Sequence, residues 1–357
     1  MSSRVLVVLP LVLAVGLLAP VQARPAPIGQ DPITPGQVYA GDFPDPSVML
    51  VGGTAYAYAT TSDGRNVPLV TSTDLRTWRA NPGTKANPSG DALPRTAAWS
   101  DGVEKADGRF RATTWAPSVA RLGRHRFVMA YATSVAGSPY RRMCISLAHA
   151  TSARGPFTDT TTKPALCPAR GAIDPQVFIA PSGYPWLVWK IDHQPAALFT
   201  TRMNASGTAV YPSTRRFLAH ITRPWEGNIM EGPAMIRYRG RFYLFYSANS
   251  YASTRYATGY LICRTWYGGC AKPSKGPLMA TGKYLAGPGG PSPFVDAAGR
   301  LRLAYHAWRV GAVGYPSTDA CRDTALGCGQ RRLYVATLGV RPDGTLKVAR
   351  WSSSRSR

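Results

Sequence analysis

The chain has 357 residues and carries 42 Lys and Arg against 18 Asp and Glu, a formal net charge of +24. Its six cysteines include no Cys-x-x-Cys pair, which argues against a structural zinc cluster, and no stretch beyond the N-terminal region is apolar for long enough to span a bilayer. So basic a surface attracts polyanions, but the cations are spread along the chain rather than gathered on one helix, which argues against nucleic acid.

In chain order, Met1–Ala23 reads as a secretion signal: Arg4 supplies the positive start, Val5–Leu18 the apolar run, and Val21-Gln22-Ala23 a small-residue cleavage site. Pro10 and Pro20 break the run, favouring removal over anchoring. Residues 24–40, with Pro25, Pro27, Pro32 and Pro35, read as an extended leader, and 352–357 as a basic tail. In a secreted chain the cysteines imply disulfides; sequence leaves the pairing open, and proximity favours Cys144–Cys167, Cys263–Cys270 and Cys321–Cys328. Asn204-Ala205-Ser206 fits a glycosylation acceptor.

Between 41 and 351 one pattern recurs five times. A head with a proline leads into an alternating apolar strand, a glycine turn, and a second apolar strand. The heads are Asp45-Pro46, Ala116-Pro117, Asp174-Pro175, Glu231-Gly232-Pro233 and Ser292-Pro293. Successive prolines lie 71, 58, 58 and 60 residues apart. Each repeat also has a second half of strand character. All-β units recurring at this length predict stacked blades, hence a five-bladed β-propeller in one domain.

The chain has three glutamates, Glu104, Glu226 and Glu231, so acids at the heads stand out. Inner strands of a propeller line its channel, and equivalent heads converge at one end. Asp45, Asp174 and Glu231 are therefore expected around one cavity. Converging carboxylates repel, and repulsion separates a proton donor from an ionised base, the division of labour that glycosidic cleavage needs.

These residues resemble glycoside hydrolase family 43, the five-bladed inverting enzymes of arabinose- and xylose-containing polysaccharides. The resemblance rests on Phe43-Pro44-Asp45-Pro46-Ser47, Thr71-Ser72-Thr73-Asp74-Leu75 with Trp78, Trp115-Ala116-Pro117, Ile173-Asp174-Pro175, and Glu231-Gly232-Pro233 followed by Tyr243-Leu244-Phe245-Tyr246-Ser247. It implies Asp45 as general base, Glu231 as general acid, and Asp174 as the acid that raises and orients Glu231. It also implies that His306 points into the channel, beside the substrate and a calcium or other small ion. Arg331 matches an arginine set against substrate or base, with Arg332 competing for the position. No cofactor is required for the chemistry, although calcium in the channel is compatible with the family.

Blander readings stand beside these. An Asp before Pro often only starts a turn, and Asp74 is read that way. His306 in an apolar strand suits a satisfied core residue as well as a ligand. Trp115 either walls a sugar site or packs between blades; Trp78, Trp186 and Trp189 are read as core. The implied function is a secreted, monomeric glycosidase releasing arabinofuranose or xylopyranose, with a slight preference for exo action. Its partner is a polysaccharide, including an acidic cell-wall polymer, with no nucleic acid and no membrane. The rival classes are a propeller that binds polyanions without catalysis, and a retaining fructan-type enzyme, disfavoured because Asp45 lacks an Asn-Asp-Pro-Asn setting.

Overall fold

The computed structural model describes residues 36–138, 141–316 and 329–349. Within them lie five antiparallel sheets that form the blades of a propeller. Blade 1 comprises Ser47–Val51, Thr54–Tyr58, Leu69–Ser72 and Arg79–Ala80; blade 2 comprises Thr114–Gly123, Arg126–Ser134 and Met143–Ala150. Blade 3 comprises Ala172–Ile179, Pro185–Ile191, Ala197–Arg202 and Arg216–His220, and blade 4 comprises Met230–Tyr238, Arg241–Ala248, Ala257–Thr265 and Gly268–Ala271. Blade 5 is built from Leu285–Val295, Leu301–Arg309 and Arg332–Val340. Among the described residues no helix is long and apolar enough to cross a membrane.

Blade 5 is completed from both ends of the described chain. Gln37–Tyr39 pairs with Arg332–Val340, as does Leu346–Val348. The leader expected over 24–40 therefore overlaps a strand of the propeller: a short segment near a proline-rich stretch is still recruited where an exposed strand edge offers unpaired backbone groups. The signal region, the basic tail, and Cys321 with Cys328 lie outside the described residues. Cys144–Cys167 and Cys263–Cys270 are bonded as expected, the second pair directly opposite each other on neighbouring strands.

Apolar alternation buries one slab of core at each blade junction. Phe178, Val188 and Leu198 of blade 3 meet Met235, Leu244 and Leu261 of blade 4. Phe43, Val48 and Trp78 of blade 1 meet Phe294, Leu333 and Val335 of blade 5, which locks the ring. Trp78 and Trp189 are buried as expected, whereas Trp186 is only partly buried and stacks on Tyr267.

The backbone corrects the repeat alignment. Asp45, Ala116, Asp174, Gly232 and Gly290 all take positive φ, between 42° and 60°, and each precedes a proline. The ladder slips at matching places, between Trp115 and Ser118, Ile173 and Gln176, Glu231 and Ala234, and Gly289 and Ser292. The fifth head is thus Gly290-Pro291, not Ser292-Pro293, and the last interval matches the 58 before it. Glu231 stands one residue ahead of Asp45 and Asp174 in the repeat. It shares its place with Trp115 because Gly232 takes the left-handed position, which costs a glycine least.

Candidate active site

One cavity of about 720 Å³ opens at the head end, lined by Asp45, Asp174 and Glu231 together with Trp115, Tyr251, Tyr256, Tyr315 and Arg331. It extends along the inner strands to Met49, Arg121 and Ile179. The three carboxylates thus share one space, as the repeat predicted. Trp115 is 40% exposed and lines the cavity, so it is not packed between blades.

Asp45 is gripped from three directions. Thr60 Oγ1 donates to its Oδ2 at 2.7 Å, Arg331 Nη1 lies 3.2 Å from Oδ1, and its backbone N–H donates to His306 Nδ1 at 2.9 Å. Burial by itself would raise the Asp45 carboxyl, but the Arg331 guanidinium and the Thr60 hydroxyl outweigh it and hold the group below its ordinary range. Thr60 Oγ1 also accepts from the Ala116 N–H at 2.8 Å, tying the first head to the second. Arg331 is set in turn by Asp42, which accepts its backbone N–H at 2.8 Å, and by Tyr315, whose hydroxyl accepts from Nε at 3.0 Å. Between the two arginines that competed for this place, the fold brings Arg331 to Asp45, while Arg332 turns to Gln37.

Asp174 and Glu231 sit in a different setting. Asp174 Oδ2 accepts the Gly232 N–H at 2.8 Å, which fixes it beside the Glu231 backbone. Burial first, and then the charge of Glu231, push Asp174 up to about 7, with Lys190 opposing. Glu231 Oε2 faces Lys190 Nζ at 3.2 Å, and its Oε1 accepts from Tyr256 Oη at 2.9 Å. Lys190 is a buried ammonium at 8% side-chain exposure; burial disfavours its charge, yet Glu231 and Asp174 more than compensate and keep it protonated.

His306 departs from expectation. It is fully buried and does not line the cavity; its ring stacks on Tyr256 with centroids 5.8 Å apart and planes 7° apart. A ring that accepts at Nδ1 carries its proton on Nε2, and that buried atom has no hydrogen-bond partner among the described residues. Burial lowers the imidazole to about 3, so it is neutral and its 3.4 Å approach to Asp45 Oδ1 is not an ion pair. With one nitrogen accepting and the other protonated, His306 has no lone pair for a metal, and no group of three or more metal-ligating side chains occurs among the described residues. As placed, these residues do not fit a His306-bound calcium ion or a His306–sugar contact. The position of the ring depends on Gly290: a Cβ there would stand 2.6 Å from His306 Nδ1, so the bare glycine lets the ring close on the first head.

Lys190 and Thr60 escaped the sequence reading, and the direction of Tyr256, in the segment after the Glu231 hairpin, could not be read from it. Lys190 left a trace, since a cation ends the apolar run Trp186-Leu187-Val188-Trp189 at the head end of its strand. Asp74 behaves as expected, accepting the Arg76 and Thr77 N–H groups at 2.8 Å in a turn.

The family model described as glycosyl hydrolases family 43 matches residues 36–327. The chain belongs to glycosyl hydrolase family 43. Among solved structures, a thermostable family-43 glycoside hydrolase shares 24% identity at a TM-score of 0.70, with 94% of this chain and 98% of that one covered. An endo-1,4-beta-xylanase from Bacteroides thetaiotaomicron shares 23% identity at 0.66, covering 87% and 95%. An alpha-L-arabinofuranosidase from Lactobacillus brevis shares 19% at 0.64, covering 88% and 96%. Likeness at these identities carries the propeller fold alone. Among curated proteins no match is found. This family-43 chain is thus a glycoside hydrolase whose three head-end acids share one cavity.

Proposed function

We propose that the chain is a secreted, inverting glycosidase that releases arabinofuranose or xylopyranose from cell-wall polysaccharides, with exo action. Glu231 protonates the departing glycosidic oxygen while Asp45 removes a proton from the water that attacks the anomeric carbon from the opposite face. Asp174 holds Glu231 through its neighbour's N–H and supplies the like charge that keeps one proton within the pair near neutral pH. Trp115 offers an apolar wall for the sugar ring. Arginine, threonine and a neutral histidine around Asp45 leave that carboxylate ionised and oriented.

One observation carries this reading: the same cavity pushes its carboxyls apart, Asp45 down and Asp174 up to about 7. Carboxyls driven in opposite directions within one cavity divide it into an ionised base, Asp45, and an acid pair, Asp174 with Glu231, that shares a proton. The assay is NMR observation of the first-formed anomer from arabino- and xylo-oligosaccharides, where inversion is expected and retention would overturn the mechanism. Glu231→Gln should lower kcat about a thousandfold on oligosaccharides. Aryl glycosides with good leaving groups should lose far less, and equal losses would remove the proton-donor role from Glu231.

A further inference from the structure

The end of the propeller remote from the carboxylates has its own chemistry. Inner strands run away from the heads, so the turn joining first and second strands of each blade lies at the far end. Antiparallel alternation brings the turn joining third and fourth strands to that end as well. In blade 2 the first turn reads Arg121-Leu122-Gly123-Arg124-His125-Arg126, and in blade 4 it reads Arg237-Tyr238-Arg239-Gly240-Arg241. All six arginines are exposed.

Among the described residues none of the six makes an ion pair. Carboxylates in the far-end turns of the described blades are Asp74, Asp296 and Asp343, and each is committed elsewhere. Asp74 accepts backbone N–H groups of its own turn, Asp296 pairs with Arg300 and Arg302, and Asp343 accepts from Thr345. The guanidiniums are instead propped on neutral groups: Arg121 Nε donates to the Gly123 carbonyl at 3.0 Å, and Arg239 lies 5.4 Å over the Tyr238 ring. Blade 3, between them, presents Tyr184 with Arg202 at 4.9 Å over its ring. Cations that repel one another and have only neutral partners are matched by an external anion of repeating charge.

We propose that this far face docks a carboxylate-bearing polysaccharide, a polyuronate chain, while the head-end cavity works on neutral sugars. A guanidinium fork matches a carboxylate in two parallel hydrogen bonds. Exposed Tyr184 of blade 3 and half-buried Tyr238 among the blade 4 arginines supply ring faces for sugars. Family membership already gives the other end of the molecule a polysaccharide chemistry, so a polymer with both charged and neutral sugars would engage both faces. The proposal is independent of the roles given to Asp45, Asp174 and Glu231.

The test is binding of the full chain to polygalacturonate by affinity electrophoresis and co-sedimentation, at low and high salt, with neutral arabinan and single-stranded DNA as competitors. Binding should weaken steeply as salt rises. R124Q/R126Q and R237Q/R239Q/R241Q should each weaken it about tenfold at low salt. A control outside this face, K105Q/R109Q/K283Q, removes as many charges as the blade 4 variant and one more than the blade 2 variant, yet should change binding less than about twofold. Turnover of an aryl glycoside and the melting temperature, unchanged in all three variants, would show that folding and the cavity are intact. Equal losses in control and far-face variants would overturn the proposal in favour of diffuse charge, and full displacement of polygalacturonate by DNA at equal charge would overturn it in favour of nucleic acid.

Discussion

On one side of the cavity Asp45 faces a buried guanidinium at 3.2 Å; on the other, Glu231 and Asp174 share one ammonium, 3.2 Å from Glu231. The cation-to-acid ratio differs, and the proton follows it. Arg331 cannot surrender its proton, so Asp45 is fixed as a carboxylate. Two acids against one lysine leave a net negative charge when both ionise, and burial makes that charge expensive, so a proton stays. Cost and function therefore coincide on the second side, where the fold keeps a group that would be more stable without its neighbour.

Arg331→Met should break the first side most. It leaves a buried carboxylate without its cation, costs about 3 kcal/mol of stability, and lowers kcat/KM about a thousandfold. Because Asp45 lies below its ordinary range in the fold, its pairing stabilises above the usual Asp range and is lost as pH falls through the folded value. The variant should therefore lose more stability at pH 7 than at pH 3, measured by urea unfolding, and the acid limb of kcat/KM should move to higher pH.

Asp174→Asn should break the second side, lowering kcat about a hundredfold and shifting the basic limb of the rate profile to lower pH, since the like charge that retained the proton is gone. The sign for stability is the reverse of Asp45. A carboxyl raised to about 7 binds its proton more tightly folded than unfolded, so stability falls as pH rises from 4 towards 7. Removing the acid should raise the melting temperature at pH 8 and leave it nearly unchanged at pH 4.

Lys190→Met sharpens the contrast with an opposite sign. Without the ammonium the Asp174–Glu231 pair should hold its proton to higher pH, moving the basic limb up while kcat falls about tenfold. An unmoved limb would reduce Lys190 to packing. Tyr256→Phe, which removes one hydrogen bond to Glu231, should cost about fivefold in kcat with KM little changed.

Much of this was legible beforehand because a propeller writes its symmetry into the chain. Head prolines, glycine turns and alternating strands named the blades, and Asp45, Asp174, Glu231, Trp115 and Arg331 reached one cavity as expected. Glu231 was misregistered by one residue because Glu-Gly-Pro and Asp-Pro look alike until the left-handed backbone shows which residue occupies the corner. His306 was misread because the direction of a ring depends on a glycine from the inner strand of its own blade and a backbone N–H from the next. Lys190 was missed, and the direction of Tyr256 could not be read, because nothing local distinguishes a lysine at a strand end, or a tyrosine in a loop, from its solvated equivalents.

Periodicity, cysteine spacing and the scarcity of acids determined from the sequence alone that five β units would close on three carboxylates, since strand alternation and turn chemistry act over a few residues. Which atoms meet those carboxylates was decided only when the ring closed. Guanidinium, ammonium, phenol and imidazole arrive from blades up to 286 residues away, and burial and charge act through space rather than along the chain.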